Sequence, residues 1–259
     1  MQIVTLSGFK GGTGKTTLAG LIAVAGLMDG RRTAVLDLDR QTRNLTHFVT
    51  LRRTAGFPAP DLIQLIDTGD TTRGFLRGKE RDRLTPLIDM AEADGYELLV
   101  IDTSCASRQD FFDAHKLADV LITPLNDSPA DVHSLFAPLY SPQAPEDNYY
   151  RFIQDVRWAR RRTGRGGQDW HICFDRAAPR PTRIGRQIEE KVAALKEKAG
   201  FDETFRVCER VVHRAMCLDG STVFDPKSGG LTLSELAARS EIRRVLGCIP
   251  HAAPIALAA

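Results

Sequence analysis

Several things are scarce in this sequence. Only five of its 259 residues are cysteine, at 105, 173, 208, 217 and 248, with no C-x-x-C pair and no regular spacing. That excludes a secreted disulfide framework, which needs an even, clustered set, and it reads as thiols in a reducing cytoplasm. Long apolar runs are missing as well: no stretch reaches the roughly 18 uncharged apolar residues of a membrane span. Met1 to Ser7 already reads as a strand, so no signal peptide is expected ahead of the fold. Net charge is only +2, from 35 basic and 33 acidic residues, so any basic surface must be local. The six histidines (47, 115, 133, 171, 213 and 251) lack metal-ligand spacing and read as core or surface residues. Of the two tryptophans, Trp158 and Trp170, both read as packing anchors.

What is present is a core and a rhythm. The chain is 42% hydrophobic with 12 Phe, ample for one compact core. Strand-like runs at Ile3–Leu6, Thr33–Asp39, Glu97–Asp102, Val120–Pro124, Trp170–Phe174 and Phe205–Val207 alternate with helix-length segments such as Leu18–Met28. Continuous apolar runs suit central parallel strands buried on both faces. The expected fold class is therefore α/β, a doubly wound, mainly parallel sheet with helices on both faces and right-handed crossovers. No repeat or Gly/Ser linker divides the chain, so residues 1–259 read as a single domain, with Cys173 on a buried strand. Residues 42–83, with Pro58, Pro60, Gly69 and Gly74, are the least regular part and read as an insertion at the sheet's rim. Residues 247–259 read as a short tail.

The chemistry-bearing motif is Gly8-Phe9-Lys10-Gly11-Gly12-Thr13-Gly14-Lys15-Thr16-Thr17, between the first strand and the first helix. Glycines here let backbone N–H groups face a phosphate at the helix N-terminus, and Lys15 adds a cation toward the β and γ oxygens. The Thr16 hydroxyl is placed to ligate Mg²⁺. In the general pattern G-x-x-x-x-G-K-[ST], Phe9 stands where the first glycine belongs, while Gly14-Lys15-Thr16 match. Asp102 closes the run Leu98–Ile101 and reads as the Walker B carboxylate, holding Mg²⁺ through water. Asp37 and Asp39 share one side of a strand, because the side-chain period is two. Asp37 reads either as a group near Mg²⁺ or as a strand-end carboxylate satisfied by backbone N–H groups.

Two sets of basic residues stand out in a nearly neutral chain. Arg151, Arg157, Arg160, Arg161, Arg162 and Arg165 form one; Arg176, Arg180, Arg183, Arg186 and Lys191 form the other, around a helix beginning near Thr182. On that helix Ile184, Ile188, Val192 and Leu195 make an apolar stripe, and Arg183 and Arg186 fall off it. A solvated basic face and a DNA surface both suit such a pattern.

Lys10-Gly11-Gly12-Thr13-Gly14-Lys15-Thr16-Thr17 resembles, at every fixed position, the K-G-G-x-G-K-[ST]-[ST] loop of the deviant Walker A ATPases, which include the ParA, MinD and MipZ families. Asp37-Leu38-Asp39-Arg40-Gln41 is similar to their D-x-D-x-Q run. Ala118 to Ser128, ending Pro124-Leu125-Asn126-Asp127-Ser128, resembles the MipZ strand ending P-M-N-D-S. The resemblance implies an ATPase with ATP and Mg²⁺, in which Gly11, Gly12, Thr13, Gly14, Lys15, Thr16 and Thr17 cradle the nucleotide. It implies that Lys10 reaches the partner subunit's phosphates in an ATP-dependent homodimer, and that Asp39 orients the attacking water. Where relatives carry Asn-Arg after the fifth strand to read adenine, this chain has Asp175-Arg176, which leaves GTP open beside ATP. After Asp102-Thr103 the family's Pro-Gly is replaced by Ser104-Cys105. A DNA-binding dimer would use Arg183, Arg186, Arg180 and Lys191, contacting phosphates without base reading. A MipZ-like protein would be cytoplasmic and nucleoid-associated, work with a ParB-like adaptor and act on FtsZ. A ParA relative would instead partition a plasmid or another cargo. A MinD-like membrane regulator fits less well, since Pro250–Ala259 carries no Lys or Arg, and Lys10 and the D-x-D-x-Q run count against a metabolic P-loop enzyme of the dethiobiotin synthetase kind.

Overall fold

A run of apolar residues without alternation can only be buried if both faces of its strand are covered, and that decides the architecture. The computed structural model describes residues 1–65, 83–104, 108–141, 143–145, 148–180 and 182–251. Among them, β1 (Gln2–Leu6), β2 (Thr33–Asp37), β3 (Asp61–Ile63), β4 (Leu98–Asp102), β5 (Val120–Leu125), β6 (Asp169–Ala177) and β7 (Glu203–Cys208) form one sheet. Its order is β3-β2-β4-β1-β5-β6-β7, and every neighbouring pair is parallel.

Successive strand residues feed opposite layers. Val4, Leu6, Leu98, Val100, Val120 and Ile122 pack against α1 (Lys15–Met28), α2 (Asn44–Thr54), α9 (Val211–Asp219) and α10 (Leu233–Leu246). On the other face, Ile3, Leu99 and Ile101 meet α3 (Leu84–Ala93) and α4 (Arg108–Leu117). Leu121, Trp170, Ile172 and Phe174 meet α5 (Pro129–Tyr140), α6 (Tyr149–Arg162), α7 (Arg183–Ala193) and the single turn α8 (Lys196–Ala199). Each fully buried Leu or Ile contributes about 1.5–3 kcal/mol relative to exposure, so this two-sided core supplies the main drive to fold. Cys173 is buried on β6 and Trp170 is an anchor of the core, as expected.

Four expectations need correction. Residues 42–83 are not uniformly irregular: they hold α2 and the three-residue edge strand β3, while 66–82 lie outside the described residues. The helix was hidden in the sequence by Thr50, Thr54 and two arginines, Arg52 and Arg53, of which Arg52 turns inward and is fully buried. Its guanidinium pairs with both oxygens of Asp225 at 2.8 Å and donates to the carbonyls of Pro58 and Gly220. β2 ends at Asp37, so Asp39 lies in the following turn and the period-two relation between the two carboxylates does not hold. The start of the supposed tail is part of the fold: Ile249 is buried, and Arg31 donates to its carbonyl at 3.2 Å. Trp158, finally, is 56% exposed, with Arg162 lying over its ring.

Candidate nucleotide-binding site

β1 sits between β4 and β5, and the chain leaves its C-terminal end to build one side of the sheet before returning to build the other. Ligands of open parallel sheets bind in the crevice that such a reversal leaves at the strand ends. The Gly-rich loop fills that place and runs into α1, whose first-turn amides point back into it. Gly14 caps α1 with φ of 89°, a left-handed backbone that disfavours any side chain. A Cβ there would also come within 1.8 Å of Asp175 Oδ2, so the loop and the end of β6 can approach only because residue 14 is glycine.

Within the loop, Lys15 Nζ donates to the Lys10 carbonyl at 2.8 Å, and Thr13 Oγ1 contacts the same oxygen at 3.4 Å. Thr16 Oγ1 donates to Asp102 Oδ2 at 2.6 Å. Asp102 is buried, and its second oxygen, Oδ1, has no hydrogen-bond partner among the described residues. Burial pushes its carboxyl up to about 7, against the Thr16 hydrogen bond, with Asp37 adding to the rise. A hydroxyl and a carboxylate with one oxygen unused, beside a phosphate loop, form an all-oxygen set that fits Mg²⁺.

A cavity of about 550 Å³ opens over this pair, lined among others by Gly12, Lys15, Thr16, Asp39, Ser104 and Arg176. A second cavity of about 390 Å³ shares Thr17, Arg176 and Cys217 with it and adds Asp175, Glu209 and Arg210. Asp39 reaches the first cavity while its oxygens accept from the backbone of Gln41 and Thr42 and from the Thr42 hydroxyl at 2.8 Å. Asp37 is turned to the chain instead: it accepts from Asp39 N–H at 3.0 Å and from the amide and hydroxyl of Thr46 at 2.9 and 3.0 Å. Asp175 is buried, which lifts its carboxyl to about 6 against the opposing pull of the Arg176 amide and guanidinium. The register between β6 and β7 shifts beyond Phe174, and there Arg176 adopts φ of 55° and faces outward. Cys105 and Ala106, the replacements after Asp102-Thr103-Ser104, lie outside the described residues.

Sequence reasoning passed over the supports of the loop. Beneath its first residue, His115 Nδ1 donates to the Phe111 carbonyl at 2.6 Å, so Nε2 accepts, from the Tyr149 hydroxyl at 3.1 Å and from Ser7 Oγ. Burial takes the imidazole down to about 3, leaving it neutral. Phe9 packs on Tyr149, Phe111 and Phe152 with ring centroids 5.1, 5.6 and 5.7 Å apart. The missing motif glycine was the visible signal; what the phenyl ring packs on comes from α4 and α6, which no local pattern ties to residue 9. Lys10 Nζ donates to Asp131 of α5, a residue no motif marked.

The basic residues divide. Arg183 and Arg186 are exposed, as expected of residues off the stripe, and so are Arg180 and Lys191, with Thr182 capping α7. The stripe is narrower than predicted: Ile188, Val192 and Leu195 are buried, but Ile184 is 60% exposed. In the other set Arg160 is buried and Arg157 half-buried, both spent on backbone carbonyls. Among the described residues no group of His, Cys, Asp or Glu forms a separate metal centre, and no helix is long and apolar enough to cross a membrane.

The family model described as ATPase MipZ matches residues 2–250. The chain is similar, at 29% identity over 139 residues, to an uncharacterized ATP-binding protein of Methanocaldococcus jannaschii. That alignment covers 48% of this chain and 52% of the relative, so the match spans about half the length of that curated protein. A solved complex of a Cyanothece McdA variant with ATP superposes with a TM-score of 0.58 at 16% identity, covering 98% of both chains. The septum site-determining protein MinD of Pyrococcus horikoshii, complexed with Mg-ADP, gives 0.55 at 18%, covering 94% of this chain and 95% of that one. At these identities the structural likeness carries the fold.

Proposed function

Because the chain belongs to the MipZ family of ATPases, we propose that it is an ATP-driven switch that is a monomer without ATP and a homodimer with it. The observation that carries this reading is the way one loop turns its two lysines. Lys15 lines the 550 Å³ cavity, whereas the side chain of Lys10, 61% exposed, leaves the loop on its other side. A lysine so placed serves phosphates outside its own cavity, and a second copy of the same site is the simplest source of them. In phosphoryl transfer a cation beside the transferring group offsets the charge that spreads over its oxygens.

In this scheme the amides of Gly11 to Thr17 and the Lys15 ammonium hold the β and γ phosphates. Thr16 and Asp102 would hold Mg²⁺, which neutralises phosphate charge when bound. Asp39 orients the attacking water from its turn, and Asp37 fixes that turn by accepting the Asp39 amide. Asp175 and Arg176 face the base in the smaller cavity. The dimer presents Arg180, Arg183, Arg186 and Lys191 from both subunits to duplex DNA, and slow hydrolysis releases it. One domain of this kind, retained on the nucleoid and engaged by a ParB-like adaptor, would position a division site through FtsZ or a partition complex.

The test is sizing chromatography with ATP, ADP and no nucleotide, followed by DNA gel shift of each form. Dimer and shift are expected with ATP alone. Asp39→Ala should accumulate as an ATP dimer, and Lys15→Ala should bind no nucleotide. A single species in all three nucleotide states would sink the switch.

A further inference from the structure

We propose that His115 is a positioning residue of the nucleotide site: through Ser7 it fixes where β1 ends and the phosphate loop begins. This rests on the reading of residues 8–17 as a phosphate cradle. Ser7 is the last residue before Gly8, and two hydrogen bonds hold it. Its amide donates to the Ile122 carbonyl at 2.9 Å, and its hydroxyl donates to His115 Nε2. The first bond would hold any residue with an N–H; the second needs this side chain and this acceptor. Both residues are fully buried, so bulk water does not compete for the bond.

The tautomer is fixed from behind. Nδ1–H is committed to the Phe111 carbonyl one turn back on α4, which leaves Nε2 as an acceptor with a single lone pair. Two hydroxyls aim at that lone pair, those of Ser7 and Tyr149, and they compete for it. Tyr149 is itself the end of a buried line: Trp170 Nε1 donates to Thr123 Oγ1 at 2.9 Å, and Thr123 Oγ1 donates to the Tyr149 hydroxyl at 3.4 Å. The first loop residues lie along the same line. A Cβ on Gly8 would stand 3.8 Å from Thr123 Cγ2, and the Phe9 ring meets that of Tyr149 at 5.1 Å. A shift of Ser7 is therefore carried through Gly8 and Phe9 to the amides that face the phosphates. Such sites are sensitive: a displacement of about 1 Å can cost on the order of a hundredfold.

The test is titration of fluorescently labelled ADP, with circular dichroism confirming that each variant is folded at the temperature used. Ser7→Ala deletes one oxygen and keeps the backbone bond; it should raise Kd roughly three- to tenfold. His115→Leu, which has no acceptor, should weaken binding by a similar factor. His115→Gln brings an amide oxygen to where Nε2 stands and should recover most of the loss. Ser7→Ala combined with His115→Leu should bind no more weakly than His115→Leu alone, because both changes delete the same bond. Tyr149→Phe keeps the ring under Phe9 and leaves the lone pair to Ser7, so it should bind ADP at least as tightly as the unaltered chain. A parental Kd for Ser7→Ala, or losses that add in the double variant, overturns the proposal. So does a loss in Tyr149→Phe equal to that in Ser7→Ala. If His115→Leu does not fold, Ser7→Ala and Tyr149→Phe decide by themselves. Lys15→Ala is titrated alongside. Retained ADP binding there brings down the phosphate-cradle reading and this proposal with it, whereas lost binding beside an unaffected Ser7→Ala overturns the role of His115 alone.

Discussion

Two groups of arginines look alike as sequence and behave as opposites in the fold. Arg160 lies in the last turn of α6 and folds over the glycine-rich turn that follows. It donates to the carbonyls of Gly166, Lys116 and Gly167 at 3.0, 2.8 and 3.3 Å, and it pairs with Asp119 at 3.2 Å. Arg183 and Arg186, at the start of α7, are exposed, and their guanidinium groups have no hydrogen bond or ion pair among the described residues. One arginine replaces missing backbone partners where the chain cannot make helix or sheet; the others contribute charge to the surface. Clustering in sequence therefore says little about anion binding until each guanidinium's partners are known.

The sharpest way to break that distinction is the arginine with the most partners. Arg52 is fully buried and meets Asp225 bidentately, so Arg52→Ala strands a carboxylate in the core. A loss of about 3–5 kcal/mol is expected in urea unfolding. Arg52→Met, which fills the space but cannot pair, should also destabilise unless Asp225 is changed with it. A loss under about 0.5 kcal/mol, the size seen at featureless surface positions, would place Arg52 with Arg183 rather than with Arg160.

Histidine extends the comparison to a group whose charge the fold rejects. Burial holds His115 down at about 3 and His213 at about 4, so both are neutral when folded, whereas in the unfolded chain they protonate near their ordinary value of 6.5. A folded-state value below the unfolded one, for a base, means stability that is fully present above 6.5 and is lost as pH falls. Each group should contribute a slope of about 1.4 kcal/mol per pH unit below 6.5. His115→Phe should remove one such slope between pH 6 and 4.5, as measured by urea midpoints. An unaltered slope would mean that His115 protonates in place.

Arg160→Ala comes next, at about 1–3 kcal/mol, because its carbonyls sit close enough to solvent for water to replace part of what is lost. Arg161→Ala, on the same helix but exposed, should change stability by less than about 0.5 kcal/mol. Equal losses from the two would mean that burial of the guanidinium does not matter here.

The parallel sheet was legible because its strands are written as unbroken apolar runs, and the phosphate loop because its glycines and lysines are adjacent in sequence. Asp102 was legible for the same reason, sitting at the end of such a run. β3 was not, being three residues long and carrying no pattern of its own. Nor was the inward turn of Arg52 and Arg160, since a partner 173 or 41 residues away leaves no local mark. Asp131 and the Phe9 cluster were hidden in the same way: the residues that steady the loop come from α4, α5 and α6, and only the crossovers of the sheet bring them there. Local chemistry can be read from spacing, whereas support through tertiary contacts cannot.

The smallest expected effect on stability tests the other half of the comparison. Arg183→Ala with Arg186→Ala removes two exposed cations from a helix held by buried Ile188 and Val192 and capped by Thr182, so unfolding should shift by less than about 0.5 kcal/mol. If the ATP dimer binds duplex DNA through these residues, the same change should be large in binding. Each neutralised phosphate contributes about 0.9 to the slope of log affinity against log salt, so two residues in each of two subunits account for about three to four units. The loss should be alike for all sequences, because phosphate contacts carry no base information. ATP hydrolysis without DNA should keep its rate, as neither residue lines the cavity over Lys15 and Thr16. Fluorescence anisotropy of a labelled duplex between low and moderate salt measures the slope directly. An unchanged slope and affinity would leave α7 as a solvated face. The DNA surface would then have to be sought at exposed Arg161 and Arg162, because Arg157 and Arg160 are already committed to the fold.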